Sequence, residues 1–293
     1  MESGCNSNST NANAQHQVML GQKRERTNSN HAEEEKERQN GMKRKIQESQ
    51  KSLFEGCELL LFDMDGTLYS QHCGYATHIT QNVLRFMENA LGIENAEEVQ
   101  NRLFQKYNQT LRGLKAEGYE FESSEYWERI MVGREQFISE DKELKELLSA
   151  LPQRKWIFTN ASEGHAKACL ECLGATEYFE GIIGADFLGD VCKPEEAAFS
   201  KVIDRLKVNP QKIVFFEDSF KNLKKGQELG MKTVYIQSQD KEHLHEPISK
   251  DKWDSFDAVI PKVSLLNLKQ YCPNLHATCS QNQQQVGEGI TSN

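Results

Sequence analysis

The stretch Leu59-Leu60-Leu61-Phe62-Asp63-Met64-Asp65-Gly66-Thr67-Leu68-Tyr69 constrains this chain most. Four apolar residues run unbroken into an acid, a second acid follows two positions later, and Gly-Thr comes next. An unbroken apolar run bounded by a turn signal fits a strand buried on both faces, as in a parallel sheet. Carboxylates at the end of such a strand are costly to bury unless they meet a cation or a reacting group. At the carboxyl end of a parallel strand they would lie in the crevice where open α/β sheets bind ligands. If the strand breaks at Gly66, Asp63 and Asp65 can both turn toward one pocket, an arrangement suited to catalysis.

The rest of the chain supplies such a sheet. From Lys155 onward apolar runs alternate with helical periodicity. Trp156-Ile157-Phe158-Thr159-Asn160, Ile182 to Ala185, Ile213 to Phe216, Thr233 to Ile236 and Asp257 to Ile260 read as strands. A helix is expected to begin at Pro194, with Phe199, Val202, Ile203 and Leu206 inward, and another near Leu265. This alternation predicts an α/β fold, a Rossmann-like doubly wound parallel sheet. Strand signals are absent between residue 70 and about 153. There Ile79, Val83, Phe86, Met87 and Ala90 recur at helical spacing, and Asn95 can cap a helix with Val99, Leu103, Tyr107 and Leu111 on one face. A third helix is expected near Glu125 to Ile130, and Ser139 can cap one running from Glu140 to Leu151. The expected organisation is a polar, disordered tail over 1–52, a core built from 53–72 and 152–272, a helical cap over 73–151 inserted after the first strand, and a loose tail over 273–293.

Composition narrows the function classes. With 293 residues, 37% hydrophobic, the chain can bury one sizeable core or a core plus a smaller module. A formal charge of −9 and a pI near 5.5 argue against nucleic acid polymers as partners. No stretch approaches the apolar length of a membrane span, and the start lacks a signal-peptide hydrophobic segment, so no membrane partner and a cytoplasmic location are expected. Lys23-Arg24-Glu25-Arg26 and Lys43-Arg44-Lys45 could form a nuclear address; their mixed-charge surroundings read instead as a solvated tail. The eight cysteines are scattered and read as reduced thiols. Only Cys169 and Cys172 have metal-like spacing, and without a second pair they read as small core residues on one helix face.

Each strong strand ends in a group that a phosphate site can use: Asp63 and Asp65 on one, Thr159-Asn160 on another, Glu217-Asp218 on a third. Lys193-Pro194 lies between the last two. Parallel strands put these ends on one edge. A phosphate monoester is dianionic near neutral pH and repels an anionic nucleophile, so the site needs a cation. Asp63, Asp218 and the backbone carbonyl of Asp65 are suited to Mg²⁺, which favours a sparse oxygen site completed by water and substrate.

The order Asp-x-Asp-Gly-Thr, Thr, Lys, acidic pair resembles the four motifs of the haloacid-dehalogenase-like hydrolase superfamily. The resemblance implies that Asp63 is the nucleophile, forming an aspartyl-phosphate, and that Asp65 protonates the leaving alcohol and then activates water. It implies that Thr159 and backbone N–H groups around Asn160 and Ala161 bind the transferring oxygens, that Lys193 stabilises them by charge, and that Glu217 orients Lys193. The cofactor implied is Mg²⁺, held by Asp63, Asp65 and Asp218.

Beyond the motifs, residues 58 to 240 look like the pyrimidine 5′-nucleotidase branch, through Leu60 to Tyr69, Thr110 to Leu114 before Gly118-Tyr119, Leu151 to Ala161, Phe179 to Ile183, Val191 to Pro194 and Phe215 to Ser219. The implied partner is a small phosphate monoester, a pyrimidine nucleoside 5′-monophosphate such as UMP or CMP. Gly66 departs from the branch, which more often has a third Asp there. Trp127 and Val132 stand near places where relatives tend to carry histidines; packing within the cap is the other reading of Trp127. A sugar-phosphate phosphatase or phosphomutase is the alternative enzyme, and a non-catalytic regulatory protein the alternative class. Asp65 disfavours a dehalogenase, which has no alcohol to protonate, and also a binding module, which needs no second acid. Oligomeric state is left open.

Overall fold

A computed structural model of the chain describes residues 55–237 and 255–272. The expected polar tails and both basic clusters lie outside the described residues. Strands β1 (Leu59–Phe62), β2 (Arg154–Phe158), β3 (Gly181–Ile183), β4 (Ile213–Glu217), β5 (Lys232–Ile236) and β6 (Ala258–Ile260) form a six-stranded sheet in the order β3-β2-β1-β4-β5-β6. Every neighbouring pair is parallel. The fold is therefore the Rossmann-like α/β sheet that the apolar runs predict. Sequence order reverses direction across β1, flanked by β2 and β4, so the ligand crevice of such a sheet opens where β1 ends at Asp63.

Burial explains why β1 reads as unbroken apolar sequence. All four of its residues are fully buried, and they alternate between two cores. Leu59 and Leu61 join Phe158, Phe199 and Phe215 on one face. Leu60 and Phe62 join Ile157, Val214 and Phe216 on the other. Phe62 stacks on Phe216 with ring centroids 4.5 Å apart.

Five helices separate β1 from β2: α1 (Tyr75–Asn89), α2 (Ala96–Tyr107), α3 (Thr110–Ala116), α4 (Ser123–Ile130) and α5 (Lys142–Ala150). Helices α1 to α4 share their own core, which contains Val83, Phe86, Met87, Leu103, Leu114 and Tyr126. Helix α5 instead sends Leu144, Leu147 and Leu148 into the sheet's core with Leu60 and Phe62. Two expectations are corrected here. The face from Val99 to Leu111 belongs to two helices, because Asn108 takes a left-handed conformation (φ 59°) and ends α2, and Asn95 makes no side-chain cap. Asparagine tolerates that conformation better than most residues. The cap of α5 is Asp141, whose carboxylate accepts the Leu144 N–H at 3.0 Å, rather than Ser139. Gly113 lets α3 lie close against α2, since a Cβ there would stand 2.8 Å from the Leu103 Cβ.

After β2 come α6 (Glu163–Leu173), α7 (Ala185–Leu188), α8 (Glu196–Leu206), α9 (Phe220–Glu228) and α10 (Leu265–Tyr271). Helix α6 is capped by Ser162, which accepts the His165 N–H, and closed by a left-handed Gly174. Cys169 is buried and Cys172 packs against the same core, both as free thiols. Helix α8 begins two residues later than expected, with Glu195 in the cap position, and the Lys193-Pro194 peptide is cis.

Candidate active site

Three strand ends and one loop meet at Lys193. Its Nζ donates to Asp63 Oδ1 at 2.6 Å, to Glu217 Oε2 at 2.7 Å and to the Phe158 carbonyl at 2.7 Å. These acceptors stand at the ends of β1, β4 and β2, and Lys193 is 1% exposed. Burial alone would lower the pKa of this ammonium; the charges of Asp63 and Glu217 outweigh it and raise the pKa. Asp63 shows the reverse balance. Burial, then the charge of Glu217, push its carboxyl up to about 7 against the pull of Lys193.

Glu217 is fixed at both oxygens. Oε2 accepts Lys193 and the Asn222 side-chain amide at 3.2 Å, and Oε1 accepts the Ser219 N–H at 3.0 Å. Asp218, next in the chain, is held by Gln71, whose Nε2 donates to Oδ2 at 2.5 Å. Burial, Glu217 and Asp63 together raise the Asp218 pKa well above the ordinary carboxylate range. Oxygens of Asp63, Glu217 and Asp218 lie within 4.8 Å of one another. This is a set of hard oxygen donors with crowded negative charge, which fits a small divalent cation.

The Asp65 carboxylate turns another way. Its Oδ1 accepts from the Tyr69 hydroxyl and lies 3.2 Å from His165 Nε2. Burial acts to raise its pKa, but the charge of His165 and the hydrogen bonds from His165 and Tyr69 hold it below the ordinary value. The side chain stays 41% exposed. The turn that follows the two aspartates needs Gly66: its φ is 83°, and a Cβ there would stand 2.3 Å from Asp218 Oδ2.

Thr159 is buried after β2, and its hydroxyl oxygen accepts the Ala161 N–H at 3.0 Å. The Ala161 amide, expected to face a ligand, is thus engaged within the turn. Asn160 grips the Lys193 backbone at both ends, Oδ1 accepting its N–H at 2.8 Å and Nδ2 donating to its carbonyl at 3.0 Å. From the helices above, Gln109 Nε2 donates to the Asn160 carbonyl at 2.6 Å. Arg112 Nη1 reaches Glu195 Oε1 at 2.5 Å and Cys192 Sγ at 2.8 Å, on either side of Lys193-Pro194. Trp127 packs edge-on against Tyr126, 5.2 Å between centroids, which supports the packing reading, while Val132 is exposed.

The structure thus brings Asp63, Lys193, Glu217 and Asp218 together, sets Asp65 beside them, and uses the Asn160 side chain to hold the lysine loop. Sequence reasoning missed Tyr69, Gln71, Gln109, Arg112 and His165. Tyr69 carried a signal, its place four residues after Asp65 in the same turn, and Arg112 lies within the stretch Thr110 to Leu114 that carries the resemblance.

Residues 57–230 match the family described as haloacid dehalogenase-like hydrolase. The chain is 25% identical over 213 residues to phosphate metabolism protein 8 of Saccharomyces cerevisiae, a match covering 65% of this chain and 65% of that protein, less than two thirds of the relative's length. A crystal structure of a HAD phosphatase from Thermococcus onnurineus superposes with a TM-score of 0.50 at 20% identity, over 73% of this chain and 96% of that one. The HAD-hydrolase YfnB of Bacillus subtilis, solved bound to magnesium, superposes with a TM-score of 0.48 at 20% identity, over 73% and 97%. The Thermococcus likeness establishes the shared fold.

Proposed function

Because the chain belongs to the haloacid dehalogenase-like hydrolases, we propose that it is a Mg²⁺-dependent phosphatase for a small phosphate monoester, a pyrimidine nucleoside 5′-monophosphate first among them. The observation that carries this reading is the buried Lys193, 2.6 Å from Asp63 and 2.7 Å from Glu217, at the open end of the sheet. A permanently charged ammonium fixed beside a carboxylate nucleophile suits a dianionic group better than a neutral one.

In this reading Asp63 attacks phosphorus and carries the phosphoryl group as an acyl phosphate. Asp65 gives its proton to the departing alcohol oxygen, then takes a proton from the water that attacks the intermediate. Lys193 and the Thr159 hydroxyl neutralise the equatorial oxygens, with Glu217 and Asn160 holding the lysine in place. Asp63, Asp218 and the Asp65 carbonyl would hold Mg²⁺, which supplies charge neutralisation for the phosphoryl oxygens. Helices α1 to α4 form the cap that shields the site from bulk water. The nucleotide preference rests on the stretches resembling the pyrimidine 5′-nucleotidases.

A phosphate-release screen over UMP, CMP, purine monophosphates and sugar phosphates, with Mg²⁺ or with EDTA, tests the proposal. Expected are Mg²⁺-dependent release that is fastest with UMP or CMP, and loss of turnover in a folded Asp63→Asn variant. Faster turnover of sugar phosphates would overturn the nucleotide assignment, and full activity of Asp63→Asn would overturn the nucleophile.

A further inference from the structure

The Asp63, Glu217 and Asp218 oxygens converge to within 4.8 Å, and Asp65, two residues from Asp63, takes no part in that group. Something must keep its carboxylate away from a cluster that contains Lys193. His165 and Tyr69 are the groups in place to do so. Both reach the same oxygen, Oδ1, and among the described residues none hydrogen-bonds Oδ2. A carboxylate gripped at one oxygen by two donors from different directions cannot rotate freely. Its second oxygen is left with a fixed aim, and the side chain remains 41% exposed.

His165 is itself held from every side. Its side chain is fully buried, its backbone N–H caps onto Ser162 at 3.2 Å, and its ring stacks on Tyr75 with centroids 5.8 Å apart. Tyr75 in turn is anchored by its hydroxyl on the Met131 carbonyl at 3.1 Å. Cys169 Sγ stands 3.4 Å from Nε2, one helical turn along α6. A leucine would fill this apolar space as well as an imidazole does. What it would not do is reach Asp65. A histidine that serves packing alone has no need of a carboxylate partner from the turn after β1.

We propose that His165, with Tyr69, is a positioning residue: it sets the direction of the free Asp65 oxygen toward the leaving-group oxygen of the substrate and keeps that carboxylate out of the cation cluster. The inference rests on the reading of Asp65 as the acid that protonates the leaving alcohol. In that step the phosphorus–oxygen bond of the ester breaks as the Asp63 oxygen bonds to phosphorus. A proton that Asp65 takes up from solvent before the step passes to the departing oxygen, leaving free alcohol and ionised Asp65.

Leaving-group dependence separates positioning from packing. An alkyl phosphate such as UMP has a leaving alcohol that needs the proton; p-nitrophenyl phosphate has one that departs without it. Comparing kcat/KM on the two substrates reads the step up to phosphoryl transfer. Misplacing a catalytic group by about 1 Å can cost on the order of 10²-fold, so a folded His165→Leu variant should lose about that on UMP and less than about threefold on p-nitrophenyl phosphate. His165→Gln carries an amide N–H to roughly the place of Nε2 and should restore most of the UMP rate. Tyr69→Phe, which keeps the ring, should shift the ratio in the same direction, and it carries the comparison if His165→Leu does not fold. Equal losses on both substrates in these variants, or no loss at all, would overturn the proposal. Asp65→Asn is the control. If it shows no preference for the activated ester, the reading of Asp65 fails; if it shows one and the His165 and Tyr69 variants do not, only the positioning inference falls.

Discussion

Lys193 and Glu217 face each other at 2.7 Å, each with a side chain only 1% exposed. A buried pair of this kind contributes little net stability when intact, but removing one member leaves the other uncompensated. Here the arrangement is a triad, since Asp63 shares the ammonium. Lys193→Met, which leaves the Asp63 and Glu217 carboxylates without their shared ammonium, should therefore destabilise the fold by about 3 kcal/mol, as expected for breaking a buried ion pair. Lys193→Met should lower kcat by at least ~10²-fold, the scale of losing one group that stabilises developing charge. Chemical denaturation and phosphate release measure the two effects separately.

Crowding of the acids predicts a proton-linked cation site. Burial and Glu217 hold the Asp63 carboxyl at about 7 rather than 3.8, and Asp218 is raised for the same reasons together with the charge of Asp63. A carboxyl whose folded pKa lies above its unfolded one binds its proton more tightly in the native state. Its stabilising contribution is complete below pH 3.8 and is lost as pH rises through about 7. Without divalent ions the melting temperature should thus fall between pH 6 and pH 8, to an extent on the order of a few degrees per kcal/mol. Mg²⁺ must displace those protons, so its affinity should rise over the same interval. Calorimetric titration in buffers of different ionisation enthalpy would detect the proton release. A pH-independent affinity would contradict the assignment of Asp63 and Asp218 as ligands.

Gly66 is a point where backbone and site cannot be varied independently. Its φ of 83° strains any other residue, and a Cβ would meet Asp218 Oδ2 at 2.3 Å and Gln71 Nε2 at 2.6 Å. Gly66→Ala should cost about 1 kcal/mol or more of stability from the dihedral alone. It should also weaken Mg²⁺ binding by displacing Asp218. Melting temperature with and without Mg²⁺ would distinguish the two contributions: the metal-induced increase should shrink in the variant.

The sheet was legible because burial on two faces erases alternation. Leu59 to Phe62 and Ile213 to Phe216 read as strands directly from their unbroken apolar runs. Three of the four motif groups were legible because each follows such a run, and Lys193 by its place in order between the second and the last. Helix ends were less so. Ser139-Glu140-Asp141 offers two capping side chains two positions apart, and Asp141 prevails because it stands where its carboxylate meets the Leu144 N–H. Asn108 ends α2 by a conformation that periodicity does not report. The supporting residues were hidden by distance along the chain: His165 acts on an acid 100 positions away and Gln71 on one 147 positions away. Nothing local marks a histidine inside an apolar helix as the partner of the Asp65 carboxylate.

Helices α1 to α4 reach the lysine loop through three residues of one short segment, Tyr107, Gln109 and Arg112, the Tyr107 carbonyl accepting the Cys192 thiol at 3.7 Å. Gln109 donates to the Asn160 carbonyl, and Arg112 bridges to Cys192 and Glu195 on the two sides of Lys193-Pro194. Asn160 is the residue that clamps the Lys193 backbone, so these contacts between α1 to α4 and the loop also support the Lys193 ammonium. Hydrogen bonds to a charged group contribute about 1.5–3 kcal/mol, and each 1.4 kcal/mol removed from the docked arrangement raises the undocked population about tenfold. Arg112→Ala should therefore make protease cleavage within residues 73–151 about tenfold faster or more while leaving the sheet intact. Orthovanadate, as a phosphate mimic, should slow that cleavage in the wild-type chain and restore part of the protection in the variant. Gln109→Ala should act in the same direction, with a lower kcat because Asn160 loses its brace. Cleavage rates indifferent to both substitutions and to vanadate would mean that the helices are fixed to the sheet by their apolar contacts alone, and that substrate enters by another route.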